Sequence, residues 1–300
     1  MAEMSAPVAR FPAATPPIRP EYLRDVVAGR DIGVVEKPLT VFQRLANQGW
    51  LRKSLILAVI AVVWEAYARR LNNPLLVPTF TATLEAFKAG IASGDIPQKV
   101  LNSVQLLLKG YAAGLSLALV LTALAMMFRL GNDLLETLTS AFNPLPAIAL
   151  LPLALIWFGL GDTSIIFVLV HSVLWAVALN THSGFRSVSN TLRMVGRNCG
   201  LRGISFITKI LIPAAFPSIL TGLKIGWAFA WRTLIAAELV FGVSSGKGGL
   251  GWYIYENKNM LDIPAVFAGL FTVILIGLIV ENLIFRNIES ATVRRWGMQS

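Results

Sequence analysis

Six blocks of apolar residues, separated by short polar stretches, set the frame of the chain. They run roughly Ser54–Ala68, Gly110–Phe128, Leu138–Gly159, Ser164–Asn180, Ser218–Val243 and Pro264–Phe285. Crossing a bilayer takes about 20 apolar helical residues. The first block is short and is expected to extend to Leu51 or Leu71. The third is interrupted by Pro144, Pro146 and Pro152, which a membrane helix tolerates where neighbours or a wet cavity satisfy the freed carbonyls. The pattern predicts an all-α membrane protein with six transmembrane helices over residues 51–300. Residues 1–50 carry no apolar block and are rich in Pro, Ala and Arg. They read as a partly disordered cytoplasmic tail, with a short interfacial segment at 41–50 and no cleavable signal peptide.

Composition agrees with this frame and excludes several function classes. The chain is 55% hydrophobic and 14% charged, whereas a soluble domain carries about 25% charged residues. A net charge of +10 would suit nucleic acid if it formed one basic surface, but the basic residues are scattered between the blocks, so no nucleic-acid partner is expected. Their placement reports topology instead. Seventeen Lys and Arg fall on the side of the N-terminus and six on the other, which predicts both termini in the cytoplasm. One cysteine, Cys199, and two histidines, His171 and His182, give no set of metal ligands. Lys247 sits among glycines, but neither the glycine spacing nor a following Ser or Thr matches a nucleotide-binding loop. No catalytic constellation stands out, so an enzyme is not expected.

The stretch between blocks four and five is the most informative. It runs from Arg186 through Arg193-Met194-Val195-Gly196-Arg197 and Gly200-Leu201-Arg202-Gly203 to Ile210-Leu211-Ile212-Pro213. Leu192, Val195 and Cys199 share one helical face, while Arg193, Arg197 and Arg202 project elsewhere. Gly200 and Gly203 are expected to break that helix, and Pro213 to end a short second helical piece before block five. By physics alone this could be a basic amphipathic helix lying on anionic lipid.

The same stretch resembles the coupling-loop signature of permeases of binding-protein-dependent ABC importers, a Gly followed ten residues later by Ile-x-Leu-Pro. Gly200 and Ile210-Leu211-Ile212-Pro213 keep the spacing, with Ile in the Leu place, and Met194-Val195-Gly196 replaces the usual Glu-Ala-Ala. Asn143-Pro144-Leu145-Pro146, the run Ala149–Gly159, Thr221–Ile225, Ala236–Leu239 and Ser244–Trp252 resemble the nitrate, sulfonate and taurine branch. The resemblance covers about Leu51 to Trp296. It implies a type I importer permease of the bacterial inner membrane, paired as a homodimer or pseudo-dimer, fed by an external solute-binding protein and driven by an ATP-binding subunit. This chain would bind no cofactor itself, since ATP and Mg belong to that partner subunit. The coupling loop, about 182–213, would dock on the ATPase through Arg193, Met194, Gly196, Arg197, Gly200, Leu201, Gly203, Ile210 and Pro213.

Ionisable residues inside membrane blocks are functional candidates, because exposing them to lipid costs roughly 2.5–3.5 kcal/mol. Arg232 and Glu238, about 240° apart on one helix, join Asn143 and Pro146 as candidates for the translocation pathway. Arg232 could offer its planar fork to an anionic head, or reach the interface or a neighbouring helix. Lys224 is expected to snorkel or pack at the inner half, Glu65 and Glu281 to make helix-end or interhelical contacts, and His171 to be a satisfied core histidine. The expected solute is a small anion of the sulfonate, taurine or nitrate kind. A pyrimidine precursor or an aromatic acid in the same superfamily, and a stand-alone secondary transporter, remain as alternatives.

Overall fold

The structure is a computed structural model and describes residues 48–241 and 248–295. Nearly all of the expected tail, and Ser244 to Lys247 of the glycine-rich loop, lie outside the described residues. The chain divides after Ile56 into two units. The first contributes only the start of α1 among the described residues. The second, Leu57–Ser300, holds the rest of α1 and every later helix.

The helices are α1 Gly49–Leu71, α2 Phe80–Ala92, α3 Asp95–Met127, α4 Arg129–Phe142, α5 Leu151–Phe158, α6 Asp162–Ser187, α7 Asn190–Asn198, α8 Gly203–Phe206, α9 Ile212–Phe241, α10 Leu250–Asn259, α11 Ile263–Ile279 and α12 Arg286–Glu289. A 3-10 turn, Ala147–Leu150, leads into α5, and a π-helical turn, Ile207–Leu211, joins α8 to α9. No strand occurs among the described residues.

Four helical segments are long and apolar enough to cross a membrane: Asp95–Met127, Asp162–Ser187, Gly203–Val240 and Ile263–Val293. A fifth span arises if α4 and Ala147–Phe158, bent by 89°, cross together. The bend falls at the Pro144 and Pro146 interruption read in the sequence. The apolar run of α1 is closed by Arg52 and Lys53 at one end and Arg69 and Arg70 at the other, with Glu65 between, so charge shortens it below an ordinary span.

The bundle exposes large apolar side chains and buries a small set of polar ones within a mostly apolar core. Leu117, Leu119, Val120, Ile274 and Leu278 are exposed, while Ser103, Thr122, Ser172, Thr181, Glu238 and Thr272 are buried. Its centre is formed by α3, α6 and α9 around Leu107, Val168, Leu169, Val173 and Leu234. Small residues permit the close approach that membrane helices use. A Cβ on Gly222 of α9 would stand 2.8 Å from the Asn180 Cβ of α6.

Two departures from the expected boundaries have a physical reason in the packing and the backbone. The second block begins at Asp95 rather than Gly110, because its polar residues are used internally: Asn102 Nδ2 donates to Gly248 O at 3.1 Å, and Lys99 lies 3.7 Å from Glu256. Pro213 does not end a helical piece. It follows closely on the π-helical turn Ile207–Leu211 within one continuous helical segment, Gly203–Val240, and that turn absorbs the register change.

Candidate functional site

The loop after α6 is held by backbone capping at both ends. Ser189 precedes α7, and its side chain accepts from Leu192 N at 3.3 Å. At the other end Gly200 adopts φ +77°, Gly200 N donates to Arg197 O at 3.0 Å, and Leu201 N donates to Gly196 O at 3.1 Å. These two bonds, with a left-handed glycine just past the cap, form a Schellman motif, which a side chain at Gly200 would strain. Gly203, at φ +55°, turns the chain a second time. The expectation that both glycines break the helix therefore holds.

Arg193 fixes this element to the membrane bundle. Its Nε donates to Val188 O at 3.1 Å and its Nη2 to Phe185 O, so it caps carbonyls at the end of α6. Gly196 is buried, and a Cβ there would come within 2.9 Å of Ile210 and 3.0 Å of Phe206. Ile210 thus packs over Gly196 and binds α7 to the segment returning into α9. The opposite surface is bare: Leu192, Met194, Val195 and Ile204 are exposed, Ile204 at 79%. Arg197, Leu201, Arg202, Gly203 and Phe206 line a recess beside it.

The second region is a cavity of about 290 Å³ at the α4–α5 bend, walled by α6 and α9. Asn143, Pro146 and Arg232, three of the four pathway candidates, line it together with His171, Ser172, Trp175, Phe229 and Thr233. Asn143 caps α4, its N–H donating to Thr139 O at 3.0 Å, and Pro146 O accepts from Ala149 N at 2.9 Å. Arg232 is exposed into this space. Its Nε donates to Ala228 O at 3.0 Å, and its Cζ stands 5.2 Å from the Phe229 ring centroid.

His171 differs from the satisfied core histidine expected. Both ring nitrogens are buried with no hydrogen-bond partner among the described residues, and so is Trp175 Nε1. Trp175 is set by Phe142, stacked on it at 5.6 Å and 9°. Sequence reasoning passed over Trp175, Ser172 and Thr233. The i, i+4 spacing of His171 and Trp175 was the available signal.

Glu238, the fourth candidate, is not brought to this cavity. It is 3% exposed and accepts from Ser103 Oγ at 2.8 Å and Gly251 N at 2.8 Å. Ser103 Oγ in turn accepts from Leu250 N at 2.8 Å. The carboxylate therefore ties α3, α9 and the first turn of α10 together. Other ionisable residues are also structural: Lys224 pairs with Glu289 at 2.5 Å, and Glu65 accepts from Thr81 N at 3.1 Å and Arg69 Nε at 2.8 Å.

Comparison with known proteins gives the same direction. Residues 110–292 match the family described as binding-protein-dependent transport system inner membrane component. A putative ABC transporter permease of Methanocaldococcus jannaschii is 32% identical over 75% of this chain and 85% of its own length. The taurine transport system permease protein of Escherichia coli is 28% identical, over 79% and 86%. The nitrate import permease protein of Synechocystis is 28% identical, over 78% and 86%. With an apolar exterior and a family match across more than half of its length, the chain belongs to the binding-protein-dependent family of ABC importer permeases, a transport family of the inner membrane and not an enzyme family.

Proposed function

We propose that this chain is the pathway-forming subunit of an ATP-driven importer for a small anionic solute, and that α7 with its flanking turns couples it to a separate ATPase. One observation carries the reading. The loop is rigidly capped and fastened to α6 and α9, yet it leaves Met194, Val195 and Ile204 uncovered. A stiff element with a bare apolar face and flanking Arg197 and Arg202 suits docking on a protein groove, where its displacement would move the helices it continues into. ATP and Mg would reside on that partner. Two copies of the chain, six spans each with both termini cytoplasmic, would enclose the path, and an external binding protein would deliver the solute. The sulfonate, taurine or nitrate class is favoured by the names of the relatives and by Arg232 as the charged group of the cavity.

Gly200→Asp tests the coupling role. Strain at a left-handed position and a negative charge on a basic element should abolish most ATPase pull-down at matched expression, while the permease still inserts. If the loop merely lay on lipid, one lost unit of basic attraction, about 1 kcal/mol, would be the whole effect and ATPase binding would stay normal. Undiminished ATPase binding and hydrolysis would remove the coupling role.

A further inference from the structure

We infer that the groove where α3 meets α4, beside the end of α6, is a phospholipid site for a headgroup that joins a phosphate to a primary ammonium, as phosphatidylethanolamine does.

The place of the groove in the fold favours a lipid. Both α3 and α6 are long and apolar enough to span, and they end at Met127 and Ser187. The groove, about 510 Å³, lies at those two ends and takes in Met127, Phe128, Arg129, Asp133, His182 and Arg186. Lipid headgroups occupy the layer just beyond the hydrocarbon, where spanning helices end. Met127 and Phe128, with Leu130 beside them, are large apolar side chains left exposed there, as acyl chains and glycerol require.

The polar side of the groove holds groups of both signs with nothing to meet. Arg129 and Asp133 lie one turn apart on α4, a spacing at which opposite charges can pair. No ion pair joins them, and neither has an ion-pair partner among the described residues. Arg186 is engaged, since its Nη1 donates to Glu136 Oε1 at 2.8 Å. His182 is 6% exposed, lines the groove and makes no hydrogen bond among the described residues. Its ring nitrogens are not among the sealed, unpaired atoms, unlike those of His171, so a ligand in the groove can reach them. The first turn of α4 also begins without a side-chain cap, which leaves its N–H groups open to a phosphate.

This arrangement selects a zwitterion over a simple anion. A phosphate takes bonds from Arg129, from an imidazole N–H of His182 and from the helix start. A lone anion would leave Asp133 uncompensated at the same groove, whereas an ammonium tethered to the phosphate satisfies it. Four residues of helix separate the two charged positions by about 6 Å, a gap that a two-carbon tether with its ester oxygen bridges. At about 30 Å³ for each liquid water, 510 Å³ holds that headgroup and part of the glycerol.

Native mass spectrometry tests the site, with the full chain purified in detergent, stripped of lipid and titrated with defined lipids. Phosphatidylethanolamine should bind with an apparent Kd about tenfold below that of phosphatidylglycerol, which keeps the phosphate and lacks the ammonium. Soluble phosphoethanolamine, a headgroup without tails, should bind at least about tenfold more weakly than the intact lipid, which separates a lipid from a free phosphate as the ligand. Arg129→Gln should weaken both lipids. Asp133→Asn should erase the preference between them, and Asp133→Lys should reverse it in favour of phosphatidylglycerol. Arg129 and Asp133 are both exposed, so these variants remove no packing. Equal binding of the two lipids by the wild type, a preference unmoved by Asp133→Lys, or phosphoethanolamine binding as tightly as the intact lipid would overturn the proposal.

Discussion

Glu238 and Arg232 stand six residues apart on α9, and their surroundings are opposite. Around Glu238, Ser103 and Gly251 satisfy both carboxylate oxygens, and Leu250 N completes the hydroxyl that helps hold them. Around Arg232, the nearby His171 and Trp175 hold buried polar atoms without a partner among the described residues. Both places put ionisable groups inside a membrane protein, where each is expensive. At the first the polar groups compensate one another and hold helices together. At the second, His171 and Trp175 bring buried polar atoms that find no partner among the described residues. A charge inside a membrane block is therefore an incomplete signal of function. The two kinds are separated by whether the neighbours of the charge are already paired.

That difference can be attacked from the satisfied side first. Glu238→Leu keeps the volume but strips the acceptor from Ser103 Oγ and Gly251 N. Losing two or three buried hydrogen bonds, each worth roughly 0.6–1.7 kcal/mol in membrane bundles plus the cost of stranded donors, should destabilise the chain by about 2–4 kcal/mol. Thermal unfolding in detergent should show a lowered Tm and reduced recovery after heating. A wild-type Tm would mean that the cluster is not a structural clasp. Glu238→Gln, which retains one oxygen acceptor, should lose about half as much.

Ser103→Ala comes next. The hydroxyl serves Glu238 as donor and Leu250 N as acceptor, while Gly251 N still reaches the carboxylate. A loss of about 1–2 kcal/mol is expected. Amide exchange at Leu250 and Gly251 should quicken, because the first turn of α10 loses its anchor. If Glu238→Leu and Ser103→Ala acted independently, the double variant would be additive. Shared partners predict a combined loss smaller than the sum.

These two regions were also unequally legible in the sequence. In the loop between α6 and α9 the breaks at Gly200 and Gly203 could be read locally, whereas the Ser189 cap and the bonds from Arg193 to Val188 O and Phe185 O came only with the structure. Four of the six blocks, and a fifth if the bent pair crosses together, match helices long and apolar enough to span, because apolar length is a property of a continuous segment; the first block does not. The start of α3 was missed for the opposite reason: Lys99, Asn102 and Ser103 look like loop residues until α10 and Glu238 arrive from about 140 residues away to pair with them. The cavity was half legible. Asn143, Pro146 and Arg232 announced themselves by proline breaks and charge, but the state of His171 depends on what fails to meet it in three dimensions, and no spacing rule reports that.

His171→Leu is the smallest expected effect on stability. A histidine in a satisfied core would lose its hydrogen bonds on this change and cost about 1–3 kcal/mol. Here neither ring nitrogen has a partner to lose among the described residues, and replacing an unpaired buried polar group with an apolar one of similar size removes a desolvation cost. The edge contacts with Phe142 at 6.4 Å and Trp175 at 6.0 Å are the loss to set against that gain. The two should nearly cancel, leaving stability within about 0.5 kcal/mol of wild type and Tm unchanged or slightly raised. A large fall in Tm, comparable with that of Glu238→Leu, would place both sites in the same structural class and erase the contrast between them.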